Sequence, residues 1–327
     1  MKRSTFSRAF LVVAVAAALP LAAHAQTTKI TLGHGAAPGN PRHEAAVKFA
    51  ETIKAKTNGR YEVQVAHSSQ LGDDAAMITA LRSGSLDMSA NSQGAIANVV
   101  PEYGALGLPF LFKDIQSAWK LLDGPVGMDL ATRTSAKGMI VLGYWDNGIR
   151  HVTNGKRPIN APADLKGLKI RTPPDTMTMD IMQALGADPQ QIKFSELYVA
   201  LQQGVVDGQE NPLTNIVSAK LYEVQKYLSL TGHKYEANPF VMSKRSWERL
   251  SPADQKTFQE AAAEATQLQR KLSKEADEKL VGELKEKGVQ INTVDRKPFV
   301  DATRSVYDKW SAGASGDFVK RVIQQAQ

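Results

Sequence analysis

Hydrophobic and polar positions along this chain repeat with two different periods. Alternation with period two predicts short β-strands, and the first three fall at 29–34, 61–65 and 86–90. Between them, apolar residues recur every three or four positions and predict helices over 43–56 and 73–82. An order of strand, helix, strand, helix, strand predicts a parallel sheet with right-handed crossovers.

A second set of the same kind begins after residue 137. Its predicted strands are 138–144, 168–171, 191–193 and 205–207, and its predicted helices are 175–185 and 195–203. Ser195 is expected to cap the second of these helices, and Gly204 to end it. The two sets predict an α/β protein of two lobes. We expect lobe I to comprise 26–147 and about 236–270, and lobe II 148–235 and about 271–327.

A single long helix is predicted over 252–287. Ser251 can cap it, Pro252 suits the first helical position, and Gly288 can end it. At ~1.5 Å per residue the rod would be roughly 54 Å long. A charged coiled coil is the alternative. The apolar stripe is rich in alanine and lacks sustained heptads, which favours a helix that bridges both lobes.

The first 25 residues resemble an export signal. Lys2, Arg3 and Arg8 precede an apolar run, and Ala23-His24-Ala25 is a small-residue cleavage site before Gln26. The run is shorter than the ~20 residues of a membrane span, although an uncleaved anchor is the alternative. The chain has no cysteine. We therefore expect a cleavable signal peptide, no lipid anchor, no disulfides, and a freely diffusing periplasmic protein.

The length and the net charge of the chain further limit the number of lobes and the class of ligand that we expect. With 327 residues the chain has room for two lobes of ordinary size. Its net charge is +7, of which the first 25 residues supply three positive charges and no acid, so +4 remains. This modest excess does not indicate nucleic-acid binding, but it favours anionic ligands.

Motifs for catalysis and cofactor binding are incomplete. His43-Glu44 begins a zinc-protease pattern, but Val47 stands where the second histidine is needed. Gly33-His34-Gly35 begins a dinucleotide loop, but Pro38 replaces its last glycine. The sequence contains no phosphate-binding loop and no serine elbow, and its histidines are not clustered along it. We expect no metal, no cofactor and no catalysis; a hydrolase or lyase that uses Asp and His is the remaining enzyme alternative.

Three polar residues stand near the ends of predicted strands. They are Arg150, Arg171 and Asn211. Because open α/β sheets bind ligands at strand ends, two guanidiniums and an amide predict a site that binds a carboxylate. Two alternatives remain open: Arg150 could pair with Asp146, and Asn211 could only shape the turn before Pro212.

Several longer motifs resemble the DctP-type solute receptors of tripartite ATP-independent periplasmic (TRAP) transporters. The most extensive runs from Phe194 to Pro212 (FSELYVALQQGVVDGQENP). The others are LKGLKIR at 165–171, SQLGD at 69–73, LPFLF at 108–112 and YEVQKY at 222–227. The resemblance implies two α/β lobes that close on a small organic acid, a long bracing helix, and delivery to separate large and small membrane subunits.

The resemblance also implies roles for individual residues. Arg171 would bind the ligand carboxylate, with Arg150 as second arginine and Asn211 assisting. Phe194 and Asp74 align with pocket positions of sialic-acid receptors. Asn91, Gln93 and Asn147 are further ligand-binding candidates, because polar groups suit a polyhydroxylated ligand. His34 is a candidate because it follows the first strand, where the cleft is expected to open; a structural or exposed histidine is the alternative.

The expected ligand follows from these candidates. Ser92 stands where sialic-acid members carry an acidic pocket residue, and Asp146 precedes the Asn-Gly dipeptide where C4-dicarboxylate members tend to differ. We expect a sugar acid such as a hexuronate or aldarate. A C4-dicarboxylate or another monocarboxylate is the alternative. We also expect a monomer.

Overall fold

The computed structural model describes residues 27–326, so the predicted signal peptide and its cleavage site lie outside the described residues. Nine strands form one mixed sheet in the order β2-β1-β3-β8-β4-β7-β5-β6, with β9 beside β8. The strands are β1 (Thr28–Gly33), β2 (Tyr61–Ala66), β3 (Met88–Ala90), β4 (Met139–Asn154), β5 (Lys169–Thr172), β6 (Asp188–Gln191), β7 (Gly208–Pro212), β8 (Tyr227–Ser243) and β9 (Gln290–Thr293).

Helices cover this sheet and follow it at the C-terminal end. They are α1 (Pro41–Lys56), α2 (Asp74–Ser83), α3 (Gln93–Ala97), α4 (Ile115–Leu122), α5 (Pro125–Ala136), α6 (Thr176–Ala184), α7 (Phe194–Gln202), α8 (Leu213–Ser218), α9 (Lys244–Glu248), α10 (Pro252–Glu286), α11 (Arg296–Ala302), α12 (Arg304–Ala312) and α13 (Gly316–Ala326). Among the described residues, no helix is both long enough and apolar enough to cross a membrane.

The sheet has two parallel ends joined by two long strands. At one end β1 pairs in parallel with β2 and β3, and at the other β5 pairs in parallel with β6 and β7. Between them, β4 and β8 run antiparallel along most of their length, with shifts of register near Gly143, Gly148 and Val152. We call these ends the β1 side and the β5 side. The predicted pair of βαβαβ sets is therefore present; the exact lobe boundaries stay a prediction.

Two predicted strands are misplaced along the chain. The expected strand 205–207 is wrong, because β7 begins only at Gly208. The expected strand 191–193 is also shifted, since β6 ends at Gln191. β7 consists of Gly, Gln, Glu, Asn and Pro, all of them buried. A hydrophobic pattern cannot find such a strand, because its side chains are satisfied by polar partners inside the protein.

The start of α7 also differs from the prediction. This helix begins at Phe194 after Lys193, so Ser195 lies inside its first turn and is not the cap. The expected end is confirmed, because Gly204 has φ +68° directly after the last helical turn. That left-handed backbone suits glycine.

The long helix α10 bridges the two sides of the sheet, as predicted. Its cap is Ser251, whose hydroxyl accepts the Asp254 N–H at 3.1 Å. Phe258 and Ala262, in the first half, pack in the apolar cluster that includes β1 and α1. Leu284, near the end, packs in a separate cluster with α7 and α8. The helix therefore lies across its own chain, which argues against the coiled-coil alternative.

Candidate functional site

One cavity opens where the parallel strands of both sides end. Its walls come from the segments after β1, β3 and β5, from β4, β7 and β8, and from the starts of α1, α2, α7 and α8. The space between its walls is about 410 Å³ when the solvent at its opening is included. The lining residues are Gly35, Ala36, Arg42, Asp74, Ser92, Asn147, Arg150, Arg171, Pro173, Phe194, Asn211, Asn215 and Glu236.

Arg171 presents an unsatisfied guanidinium to this cavity. The side chain is 1% exposed, and its Nε donates to the Ile192 carbonyl at 2.8 Å. Within the described residues its two terminal amino groups donate no hydrogen bond, while the Phe194 ring lies 5.8 Å from the guanidinium carbon. Burial, assisted by the nearby Arg150 and opposed chiefly by Glu210, lowers the pKa of Arg171 to about 10. The group stays cationic and has two donors available for a planar anion.

Arg150 is equally buried but already paired. Its Nε and one terminal amino group donate to the Glu210 carboxylate at 2.5 and 2.7 Å, and the other amino group donates to Glu236. Burial opposes the charge, yet Glu210 and Glu236 together raise the pKa of Arg150 above its usual value. The alternative pairing with Asp146 is wrong, because Asp146 accepts from the Trp119 indole instead.

A chain of amides connects the groups around the cavity. Asn215 Nδ2 donates to Asn211 Oδ1 at 3.0 Å and to Asn147 Oδ1 at 3.3 Å. Asn147 in turn accepts from Arg42 at 2.7 Å and donates to Glu236 at 3.1 Å. Asn211 therefore does more than shape a turn, since its carbonyl oxygen accepts from both Asn215 and, at 3.4 Å, Arg150.

Asp74 is the first residue of α2 and lines the cavity. Its Oδ2 accepts the Ser92 N–H at 3.0 Å, which ties α2 to the segment after β3. Burial raises the pKa of this carboxyl, and Arg42 partly offsets that effect. Asp74 therefore supplies an oxygen that can accept from a ligand hydroxyl.

Three predicted ligand-binding residues do not line the cavity. His34, Asn91 and Gln93 are buried in the wall behind it. Gln93 Oε1 accepts the Ala237 N–H at 2.8 Å, and Asn91 lies against Asp74. All three lie near the cavity, but they support its wall and do not line it.

The histidines are closer together than their sequence positions indicate. His34 and His43 nitrogens are 3.4 Å apart, and the His67 ring packs on His43 with centroids separated by 5.1 Å. Burial, with Arg42 and the other two imidazoles, lowers the pKa of His34 to about 2. Nevertheless, the part of the chain that the structure describes contains no group of three histidine, cysteine or acidic side chains placed to hold a metal ion.

Sequence reasoning missed four residues of the site. Three of them, Arg42, Asn215 and Glu236, line the cavity. The fourth, Glu210, lies behind the cavity wall and forms an ion pair with Arg150. The helix start at Asn40-Pro41 gave a usable signal for Arg42, because the N-terminus of the helix that follows a strand often completes a site at the strand end. Nothing in the local pattern of β8 distinguishes Glu236 from a solvated residue.

A family model and several relatives match most of this chain. The family model described as "Bacterial extracellular solute-binding protein, family 7" (DctP) matches residues 32–313. Protein y4mM of Sinorhizobium fredii is 57% identical over 282 residues, which are 86% of this chain. The match covers 52% of y4mM, so the chain spans about half the length of that relative.

Other relatives match along most of their length. The 2,3-diketo-L-gulonate-binding periplasmic protein YiaO of Escherichia coli is 39% identical over 303 residues, covering 92% of each chain. The sugar acid binding protein DctPAm of Advenella mimigardefordensis, solved with galactonate, superimposes with a TM-score of 0.90 at 34% identity, covering 92% of this chain and 98% of that one. A TRAP solute-binding protein of Sulfurospirillum deleyianum, solved with succinate, gives 0.87 at 34% identity, covering 92% and 99%.

Proposed function

The chain belongs to family 7 of the bacterial extracellular solute-binding proteins, a family of receptors and not of enzymes, and we propose that it captures a sugar acid in the periplasm. The observation that carries this proposal is the Arg171 guanidinium, which faces the cavity with two donors free. We further propose that the protein acts as a monomer and delivers its ligand to the large and small membrane subunits of a TRAP permease.

A carboxylate is the ligand group that fits Arg171. Its two oxygens match the planar fork of a guanidinium, and each hydrogen bond to a charged group is worth roughly 1.5–3 kcal/mol. Two such bonds supply a large part of the ~8 kcal/mol that micromolar binding requires. Phe194, which packs on the guanidinium, holds it in place.

The rest of the cavity suits hydroxyl groups. The amides of Asn147, Asn211 and Asn215 and the carboxyls of Asp74 and Glu236 offer both donors and acceptors. This lining exceeds what a short aliphatic acid can use. The galactonate bound to DctPAm and the 2,3-diketo-L-gulonate in the name of YiaO support a sugar acid as the ligand class.

Closure of the two sides around the ligand would couple binding to delivery. Arg171 and Phe194 belong to the β5 side, whereas Arg42 and Asp74 belong to the β1 side. A ligand that contacts both sides binds the closed state more tightly, and only that difference can shift the population. The permease would then recognise the closed form.

A C4-dicarboxylate is the second candidate. Arg42 supplies a further lining guanidinium, and the succinate-bound relative supports this alternative. The two candidates differ in the hydroxyl groups, of which a sugar acid carries several and succinate carries none.

A ligand screen on the mature protein tests the proposal. We expect hexuronates and aldonates to raise the melting temperature with concentration, and Arg171→Lys to reduce affinity at least tenfold while the fold survives. Arg304→Lys, at an exposed position, is the matched control. Unchanged affinity in Arg171→Lys, or a ligand chemically altered after incubation, would contradict the receptor proposal.

A further inference from the structure

Charge in and around the cavity is almost fully compensated before any ligand binds. Four cations are present: Arg42, Arg150, Arg171 and Lys234. Four acids accompany them: Asp74, Asp175, Glu210 and Glu236. Within the described residues, Arg150 and Lys234 form ion pairs, Arg42 donates to the neutral Asn147 and to a backbone carbonyl, and Arg171 makes no hydrogen bond to another side chain. Arg171 is therefore the best placed partner for one ligand carboxylate, and Arg42 is the other lining cation that has no ion pair among the described residues.

Glu236 occupies the centre of this network. The residue is 0% exposed and lines the cavity, and its carboxylate accepts from Arg150, from Ser92 and, at 3.1 Å, from Asn147. Burial alone would raise the pKa of Glu236, but Arg150 and Lys234 together bring it below the usual value. The carboxylate is therefore ionised at neutral pH and remains a fixed negative charge at the cavity wall.

Arg42 is the remaining lining cation to which a second ligand carboxylate could turn. Its terminal nitrogens donate to Asn147 Oδ1 at 2.7 Å and to the Ala90 carbonyl at 3.4 Å. Asn147 also binds Glu236, so the two charges are one amide apart. The charges of Glu236 and Asp74 both act on Arg42. A carboxylate placed at Arg42 would therefore meet both of them, and like charges at short range away from bulk water repel strongly.

We propose that Glu236 makes the site selective for ligands with a single carboxylate, so that aldonates and hexuronates bind and aldarates and C4-dicarboxylates are rejected. The inference rests on the proposed function and narrows its ligand class. Hydroxyl groups are accepted at the same wall, because they can donate to Glu236 and Asp74 where a second carboxylate cannot.

Calorimetry with a matched pair of ligands tests this selectivity. D-gluconate and D-glucarate differ only at C6, which is a hydroxymethyl group in one and a carboxylate in the other. We expect the wild-type protein to bind gluconate at least tenfold more tightly than glucarate, and Glu236→Gln to reduce that ratio at least tenfold. Glu286→Gln, at an exposed position, should leave the ratio unchanged.

The affinities for gluconate and glucarate can contradict either the selectivity or the role of Glu236. Glucarate binding to the wild type as tightly as gluconate would overturn the selectivity while leaving the receptor proposal intact. An unchanged ratio in a folded Glu236→Gln variant would remove Glu236 from the explanation. If Glu236→Gln fails to fold, the ratio of gluconate to glucarate affinity in the wild-type protein alone tests the selectivity. Absence of binding by every sugar acid tested would defeat the proposed function, and this inference with it.

Discussion

Asn40 donates a hydrogen bond to Asn215, with 3.1 Å between Asn40 Nδ2 and Asn215 Oδ1. The same Nδ2 lies 3.2 Å from the Ser218 hydroxyl. Asn40 precedes α1 on the β1 side, and the other two residues belong to α8, which follows β7 on the β5 side. Its other side-chain atom, Oδ1, accepts the Arg42 N–H at 3.0 Å and caps α1. One side chain thus caps a helix and joins the two sides.

Replacement of Asn40 by Asp separates these two roles. Aspartate keeps the oxygen that caps α1 but loses the donor that reaches Asn215. We expect the melting temperature without ligand to change little, and ligand affinity to fall about three- to tenfold, since a lost hydrogen bond is worth roughly 0.5–1.5 kcal/mol. Stopped-flow fluorescence should place most of the change in the dissociation rate.

Asn40→Ala is the comparison for that variant, because it removes the cap as well. It should lower both stability, by ~1 kcal/mol, and affinity. If Asn40→Asp bound ligand as tightly as the wild type, the contact between α1 and α8 would have no part in closure.

Glu210 should make the protein sensitive to acid. Burial opposes its charge, but Arg150 and the His233 imidazole lower the pKa of Glu210 to about 2. Because this value is below the usual 4.5, the stabilisation is complete above pH 4.5 and is lost as the pH falls towards 2. We expect Glu210→Gln to lower the free energy of unfolding by at least ~2 kcal/mol at pH 7 and by less at pH 3.

Urea denaturation at several pH values measures this difference. Glu278→Gln, at an exposed position of α10, is the control and should follow the wild type throughout. A difference between Glu210→Gln and the wild type that stays constant from pH 7 to pH 3 would mean that ionisation of Glu210 does not contribute to stability.

Asp277 should lower the stability of the protein at high pH, whereas Glu210 raises it. Burial, and to a smaller extent the charge of Asp146, raises the pKa of Asp277 to about 7. The folded state must hold an unfavourable charge above that pH, whereas near pH 4 the carboxyl is neutral. Asp277→Asn should therefore raise the free energy of unfolding on the order of 1–2 kcal/mol at pH 8 and hardly change it at pH 4. Asp308→Asn, which alters an exposed residue, should do neither.

The sequence predicted those parts of the fold and site that depend on local pattern. Both parallel strand sets, the long helix, and the position of Arg171 near the end of a strand follow from periodicity and from strand-end logic. The polar strand β7 did not, because its residues are buried through partners from elsewhere in the chain. Glu236 was missed for the same reason, since its partner Arg150 is 86 residues away. Local patterns do not encode such pairings.

β4 and β8 extend from one side of the sheet to the other without interruption. The two sides are therefore not joined by a flexible linker, because the strands that connect them also pair with the strands of each side: β8 with β3 and β4 with β7. If the two sides close on a ligand as proposed, they would do so by bending and twisting of this two-stranded ribbon, and the register shifts near Gly148 and Val152 are the places where its pairing is already irregular. Neither side can be excised as an independent module, because cutting the ribbon would expose unpaired edges in both.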